Sequence, residues 1–151
     1  MSAALDLNEL AKRQLEVTRL INAPRALVFQ AFTDAKMISN WWGPNGFRTT
    51  TYSKDVRPGG AWRFTMHGPD GHEYANESVF VDVTPPARVR LRHVSEPRFE
   101  LLVTLAEEDG GTQIRWRHRF ASVEECARVA AYAGPKNEEN LDRWVEEAAS
   151  A

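Results

Sequence analysis

The sequence is poor in features that narrow chemistry quickly. It holds one cysteine, Cys126, among 151 residues. That excludes an internal disulfide and any cysteine-rich zinc site. No apolar run approaches the ~20 residues that a bilayer-spanning helix needs. Neither sign of charge dominates: 19 Lys and Arg stand against 21 Asp and Glu, a net of −2. So balanced a chain lacks the global pull toward nucleic acid or an anionic membrane. Met1 to Gln14 carries Asp6, Glu9 and Lys12 inside any apolar stretch, so no signal peptide is expected there. Repeats, low-complexity tracts and linkers are missing too. The expectation is a cytoplasmic protein with a loose arm over 1–13 and a single domain over 14–151, long enough to close a core.

What is present is a sequence of strands punctuated by turns. Gln14 to Ile21 alternates as a strand does. Asn22-Ala23-Pro24 reads as a helix start, with Asn22 or a neighbour as cap and Pro24 in the first turn. Asp34 caps a second short helix to about Trp41, which Gly43-Pro44-Asn45-Gly46 stops. Strands then fit 47–54, 60–67, 72–84, 87–94, 98–106 and 111–120, separated by Gly, Pro and Asp clusters at about ten-residue spacing. Ser122-Val123-Glu124-Glu125 is a capping box that opens a helix, and Gly134-Pro135 is expected to break it. A last helix over 136–149 carries Leu141, Trp144, Val145 and Ala148 as its apolar stripe. The predicted class is α+β: one antiparallel sheet wrapping a helix, with one face buried and one wet.

Strand phase predicts which face holds a site. Arg88, Arg90 and Arg92 alternate with Val89, Leu91 and His93, and Arg115, Arg117 and Arg119 with Ile114, Trp116 and His118. A one-residue slip would bury a row of arginines, so the register is strongly specified. The arginine face reads as a solvated sheet surface with Glu16 and Glu100 among the arginines, not as a nucleic-acid surface. On the inner face His93 is expected beside Phe99, and His118 opposite Phe99 or Leu101. Counting back through Pro85-Pro86 sets Val79 against His93 and puts Glu77 near Trp62. A bulge in 72–84, suggested by Phe80 being out of phase, would break that last step. The candidate constellation is Glu77, His93 and His118 among Trp62, Phe64, Met66, Phe99 and Trp116. Leu91 and Leu101 share the face, and Leu141 and Trp144 form the helix side. An apolar concavity with a few convergent polar groups is the usual make-up of a small-molecule site. Each histidine taken alone is better explained by a bond to a carbonyl or a rim water, and it is the inner surface as a whole that points to a ligand. His67 and His72 flank a hairpin without a metal-ligand pattern, so neither a metal nor a cofactor is expected. Arg19 is in phase with Val17 and Ile21, as a carboxylate's buried partner or as a sign of a misread strand.

These elements resemble a known group. Asn22-Ala23-Pro24 opening a helix, Trp41-Trp42-Gly43-Pro44 closing the next, Pro58-Gly59-Gly60, Gly68-Pro69-Asp70-Gly71 and Thr84-Pro85-Pro86-Ala87-Arg88 stand in the expected order. The pattern resembles the START-like, Bet v-type superfamily, also called SRPBCC. Within it, the chain looks like the branch of the C-terminal domain of the activator of the ninety-kilodalton heat-shock chaperone's ATPase. The resemblance implies a helix-grip fold, a curved seven-stranded antiparallel sheet around a long C-terminal helix. It also implies a cavity of the kind that holds lipids, sterols, polyketides or other hydrophobic molecules. It carries no catalytic motif across.

Three functions stay open at this point. The first is binding of a small hydrophobic or aromatic molecule, oriented by His93, His118 or Glu77. The second is an enzyme acting on such a molecule through histidine or glutamate acid–base chemistry. The third is a chaperone-linked interaction module with an exposed apolar patch around Trp41 and Trp42. A homodimer is compatible with all three.

Overall fold

The computed structural model describes residues 11–150. The expected arm therefore lies mostly outside the described residues. Strand β1 (Gln14–Ile21) leads into two short helices, α1 (Arg25–Thr33) and α2 (Ala35–Trp41). A meander follows: β2 (Arg48–Lys54), β3 (Ala61–His67), β4 (Glu73–Thr84), β5 (Arg88–His93), β6 (Phe99–Glu108) and β7 (Gly111–Arg119). The last element is the long helix α3 (Val123–Ser150). All strand pairs are antiparallel, in the order β1-β7-β6-β5-β4-β3-β2. The predicted seven-stranded α+β helix-grip architecture is the one formed.

Local chemistry explains the joints. Asp34 caps α2 by accepting from the Met37 amide at 2.9 Å, a contact typically worth about 1 kcal/mol. Asp109 and Gly110 take φ of 50° and 79°, as a two-residue hairpin between β6 and β7 demands. The Ser122 hydroxyl accepts from the Glu125 amide at 3.1 Å and starts α3. Two expectations need correction. Pro24 is itself the cap of α1, and its carbonyl accepts from Leu27 and Val28, so the Asn22 side chain is not the cap. Gly134-Pro135 does not divide the C-terminal segment, because α3 runs through Pro135 as one helix. Proline there removes only one N–H, and the residues after it are held by tertiary packing, which outweighs propensity.

The core lies between the sheet's concave face and the three helices. Trp41 of α2 stacks on Trp144 of α3, with ring centroids 4.8 Å apart and planes 6° apart. Their indole N–H groups donate to the Ala31 and Val28 carbonyls at 2.8 and 3.1 Å. The large apolar tips thus bury without an orphaned donor. Lys54 lies over the Trp62 ring and donates to the Phe32 carbonyl, and burial pulls its pKa well below the ordinary lysine value. Arg19 proves to be the carboxylate partner, pairing with Glu138 and Asp142 of α3. On the convex face several of the arginines meet oxygens: Arg90 and Arg92 face Glu100, and Arg115 faces Glu16. Arg119 donates to Gln14.

Candidate functional site

A cavity of about 200 Å³ remains between the sheet and the middle of α3. Its aromatic walls are Trp42, Phe64, Phe99 and Trp116. Leu101 and Met66 complete the apolar lining, and His93, His118, Asn76, Asn137 and Asn140 supply polar groups. Strand register sets this up. His93 of β5 pairs with Phe99 of β6, and Leu101 of β6 pairs with His118 of β7. The two histidines therefore flank Phe99, one stacked on it at 4.5 Å and the other edge-on at 4.5 Å. Both placements agree with the strand phase.

Glu77 does not join them. It pairs with Arg63 across β3 and β4, and their side chains form an ion pair at 3.0 Å on the convex face. The cause is a bulge in β4: Phe80 opposes Leu91 and Asp82 opposes Arg90, leaving Val81 as the extra residue. Ser78, not Val79, faces His93. The extra residue flips the inward set on its N-terminal side to Asn76, Ser78 and Phe80. Asn76 takes the place expected for the carboxylate.

Of the other predicted residues, Phe64, Met66, His93, Phe99, Leu101, Trp116 and His118 line the cavity. Trp62, Leu91, Leu141 and Trp144 are fully buried in the surrounding core and do not line it. Sequence reasoning missed Asn76, Asn137 and Asn140. Asn137 and Asn140 lie three apart on α3 near the apolar stripe, and buried amides on such a stripe are a readable signal. Trp42 lines the cavity beside Trp116, at 5.8 Å. Trp41 and Trp42 are 1% and 6% exposed, so they form no surface patch.

The two histidines differ electrostatically. His93 Nδ1–H donates to the Pro97 carbonyl at 2.7 Å, the ordinary structural role. Its Nε2 lies 2.8 Å from the Asn76 side-chain oxygen and 3.4 Å from the Ser95 hydroxyl. The Asn76 amide nitrogen donates to the Tyr74 carbonyl, which turns the Asn76 oxygen toward the ring. Neutral His93 can take a proton bond from Ser95, whereas charged His93 would donate to Asn76. Burial favours the neutral form and holds the pKa below its ordinary value, against the Pro97 bond. Burial does more at His118, and with the charge of His93 it pulls the pKa down to about 4. The Asn137 amide nitrogen lies 3.2 Å from His118 Nδ1. With Asn137 donating, the ring proton sits on Nε2, which is buried without a partner. The Trp116 indole N–H is likewise buried without a partner.

The mouth is fixed by α3. Arg143 donates to the carbonyls of Gly43, Pro44, Asn40 and Phe47 at 2.8 to 3.1 Å. Asn140 accepts from the Gly43 amide at 3.1 Å. Gly43 has φ of 103°, and a Cβ there would sit 2.8 Å from the Met66 methyl. Only glycine lets the chain turn this close to the cavity wall.

No curated protein matches the sequence of the chain. Several solved structures share its fold. A protein of Arthrobacter aurescens superposes with a TM-score of 0.85 at 18% identity, covering 95% of this chain and 90% of its own. One of Nitrosomonas europaea gives 0.84 at 17%, covering 93% and 96%. One of Mycobacterium smegmatis gives 0.76 at 26%, covering 92% and 90%. The family described as Activator of Hsp90 ATPase homolog 1-like protein matches residues 22–147, from the turn before α1 to the last turns of α3. Six of the seven strands, most of the gripping helix and every residue lining the cavity fall within that span, and the chain belongs to this START-like, SRPBCC-type family.

Proposed function

We propose that this protein binds a small hydrophobic or aromatic molecule in the cavity between the sheet and α3. The observation that carries the reading is the hollow itself, about 200 Å³ beside a close-packed core. Protein interiors leave few voids larger than a water molecule. A cavity of roughly 150 Å³ takes a benzene, and drug-sized sites run from roughly 300 Å³ upward. The fit is a compound of one ring with a small substituent, not a sterol.

Two features favour binding over acid–base catalysis. The carboxylate that would pair with a histidine, Glu77, lies on the far face of the sheet. His118, pulled to about 4, is a weak base at neutral pH. The chaperone-linked alternative draws no support from Trp41 and Trp42, which are buried. A buried lone cysteine suits the reducing cytoplasm as the compartment.

The test is an amide-resolved NMR titration with single-ring aromatics, fatty acids, flavonoids and sterols. Saturable shifts at Phe99, Trp116, His118 and Asn137 with the single-ring compounds, and a melting temperature that rises with their concentration, are the expected result. A well-folded spectrum that no compound perturbs would overturn the proposal.

A further inference from the structure

The cavity's apolar walls set the size of a ligand, and its unanswered polar groups say more. Trp116 and His118 stand two residues apart on the same face of β7, and both line the cavity. The indole N–H of Trp116 and Nε2 of His118 are buried and bond to nothing in the protein. Indole nitrogen can only donate. The Asn137 amide occupies Nδ1 of His118, which leaves Nε2 as the protonated, donating nitrogen. Two residues of the wall therefore each hold a donor that the protein leaves unanswered just behind the cavity surface. A purely hydrocarbon ligand would leave both donors unpaired, which is costly in a buried site. An acceptor on the ligand restores a bond.

We infer that the ligand carries a neutral carbonyl oxygen, and that Trp116 and His118 are the residues that select it. This rests on the cavity being a binding site, as proposed above. The neutrality follows from the lining. Among the described residues that line the cavity, Lys136 carries the formal charge, and it is exposed at the rim. His118 is held neutral. A carboxylate would thus have only the exposed Lys136 to answer its charge, whereas a ketone, aldehyde or amide needs only the two donors.

The test compares acetophenone with α-methylstyrene, which has the same shape with a methylene in place of the oxygen, and with benzoate. Binding to the full chain is measured by NMR titration at pH 7. Acetophenone is expected to bind at least about tenfold tighter than α-methylstyrene. Benzoate is expected to bind more weakly than acetophenone. The Trp116 indole proton should move downfield with acetophenone only, and ¹⁵N shifts should give His118 as the Nε2–H tautomer. Trp116→Phe and His118→Phe should each reduce the preference, and the wild-type comparison stands even if a variant fails to fold. Equal affinity for acetophenone and α-methylstyrene would overturn this inference and leave the binding site intact. Failure of both to bind would overturn the site and the inference together. Tighter binding of benzoate would overturn the neutral carbonyl, and an Nδ1–H tautomer would overturn the role of His118.

Discussion

At the scale of single residues, His118 links the cavity to stability. Its folded pKa is about 4, against an ordinary 6.5, with burial as the main cause. The unfolded chain therefore takes up the proton first as pH falls. The stabilisation is complete above about 6.5 and is lost between there and about 4, by on the order of 3 kcal/mol at most. His93, shifted in the same direction, adds to this slope. His118→Phe should lose less stability than wild type between pH 7 and 4 in urea titrations. Parallel curves for the two proteins would contradict the shift. Residue-level pattern reading found both histidines because alternation on β5, β6 and β7 is clean. It missed Asn137: its spacing from Asn140 beside the apolar stripe hints at burial, but does not say that it will meet a ring nitrogen on the facing sheet.

At the scale of elements, the segment after α2 is held by α3 rather than by itself. Arg143 satisfies four carbonyls of residues 40–47 with one guanidinium. Burial lowers its pKa, yet arginine stays charged, and its planar fork suits several acceptors at once. Arg143→Ala should destabilise the protein by about 2–3 kcal/mol and speed amide exchange over Gly43 to Phe47. Arg143→Lys should recover only part of that, since one ammonium cannot span the same acceptors. An unchanged midpoint in chemical denaturation of Arg143→Ala would show that the clamp is redundant. Element boundaries were legible where turn chemistry is explicit, as at Asp34, Asp109-Gly110 and Ser122. The β4 bulge was only half legible. Phe80 sat out of phase and hinted at it, but a bulge at Val81 adds one residue without a glycine or proline to mark it. That single residue decides whether Glu77 or Asn76 enters the cavity.

At the scale of the whole molecule, hydrophobic pattern and turn spacing fixed the architecture, because a one-sided sheet and an amphipathic helix have few ways to cover each other. The cavity's volume was not legible. It depends on how closely α3 lies to the sheet, and that is set by the sum of many contacts. Packing along α3 is uneven. Of its buried residues, Cys126 alone precedes Pro135, while Asn137, Asn140, Leu141, Trp144 and Ala148 follow it. Hydrogen exchange should therefore divide the helix, with amides over 123–134 exchanging faster than those over 140–148. Uniform protection from end to end would contradict this division.

Pro135 carries the matter into kinetics. Proline has no N–H to give the Ala131 carbonyl, and the break falls where the helix passes the cavity at Lys136 and Asn137. The lightly packed turns before it take no part in the stack of Trp144 on Trp41, which lies on the other side of that missing bond. The two halves of one continuous helix therefore open at different rates, and the half that carries the cavity wall is the slower one.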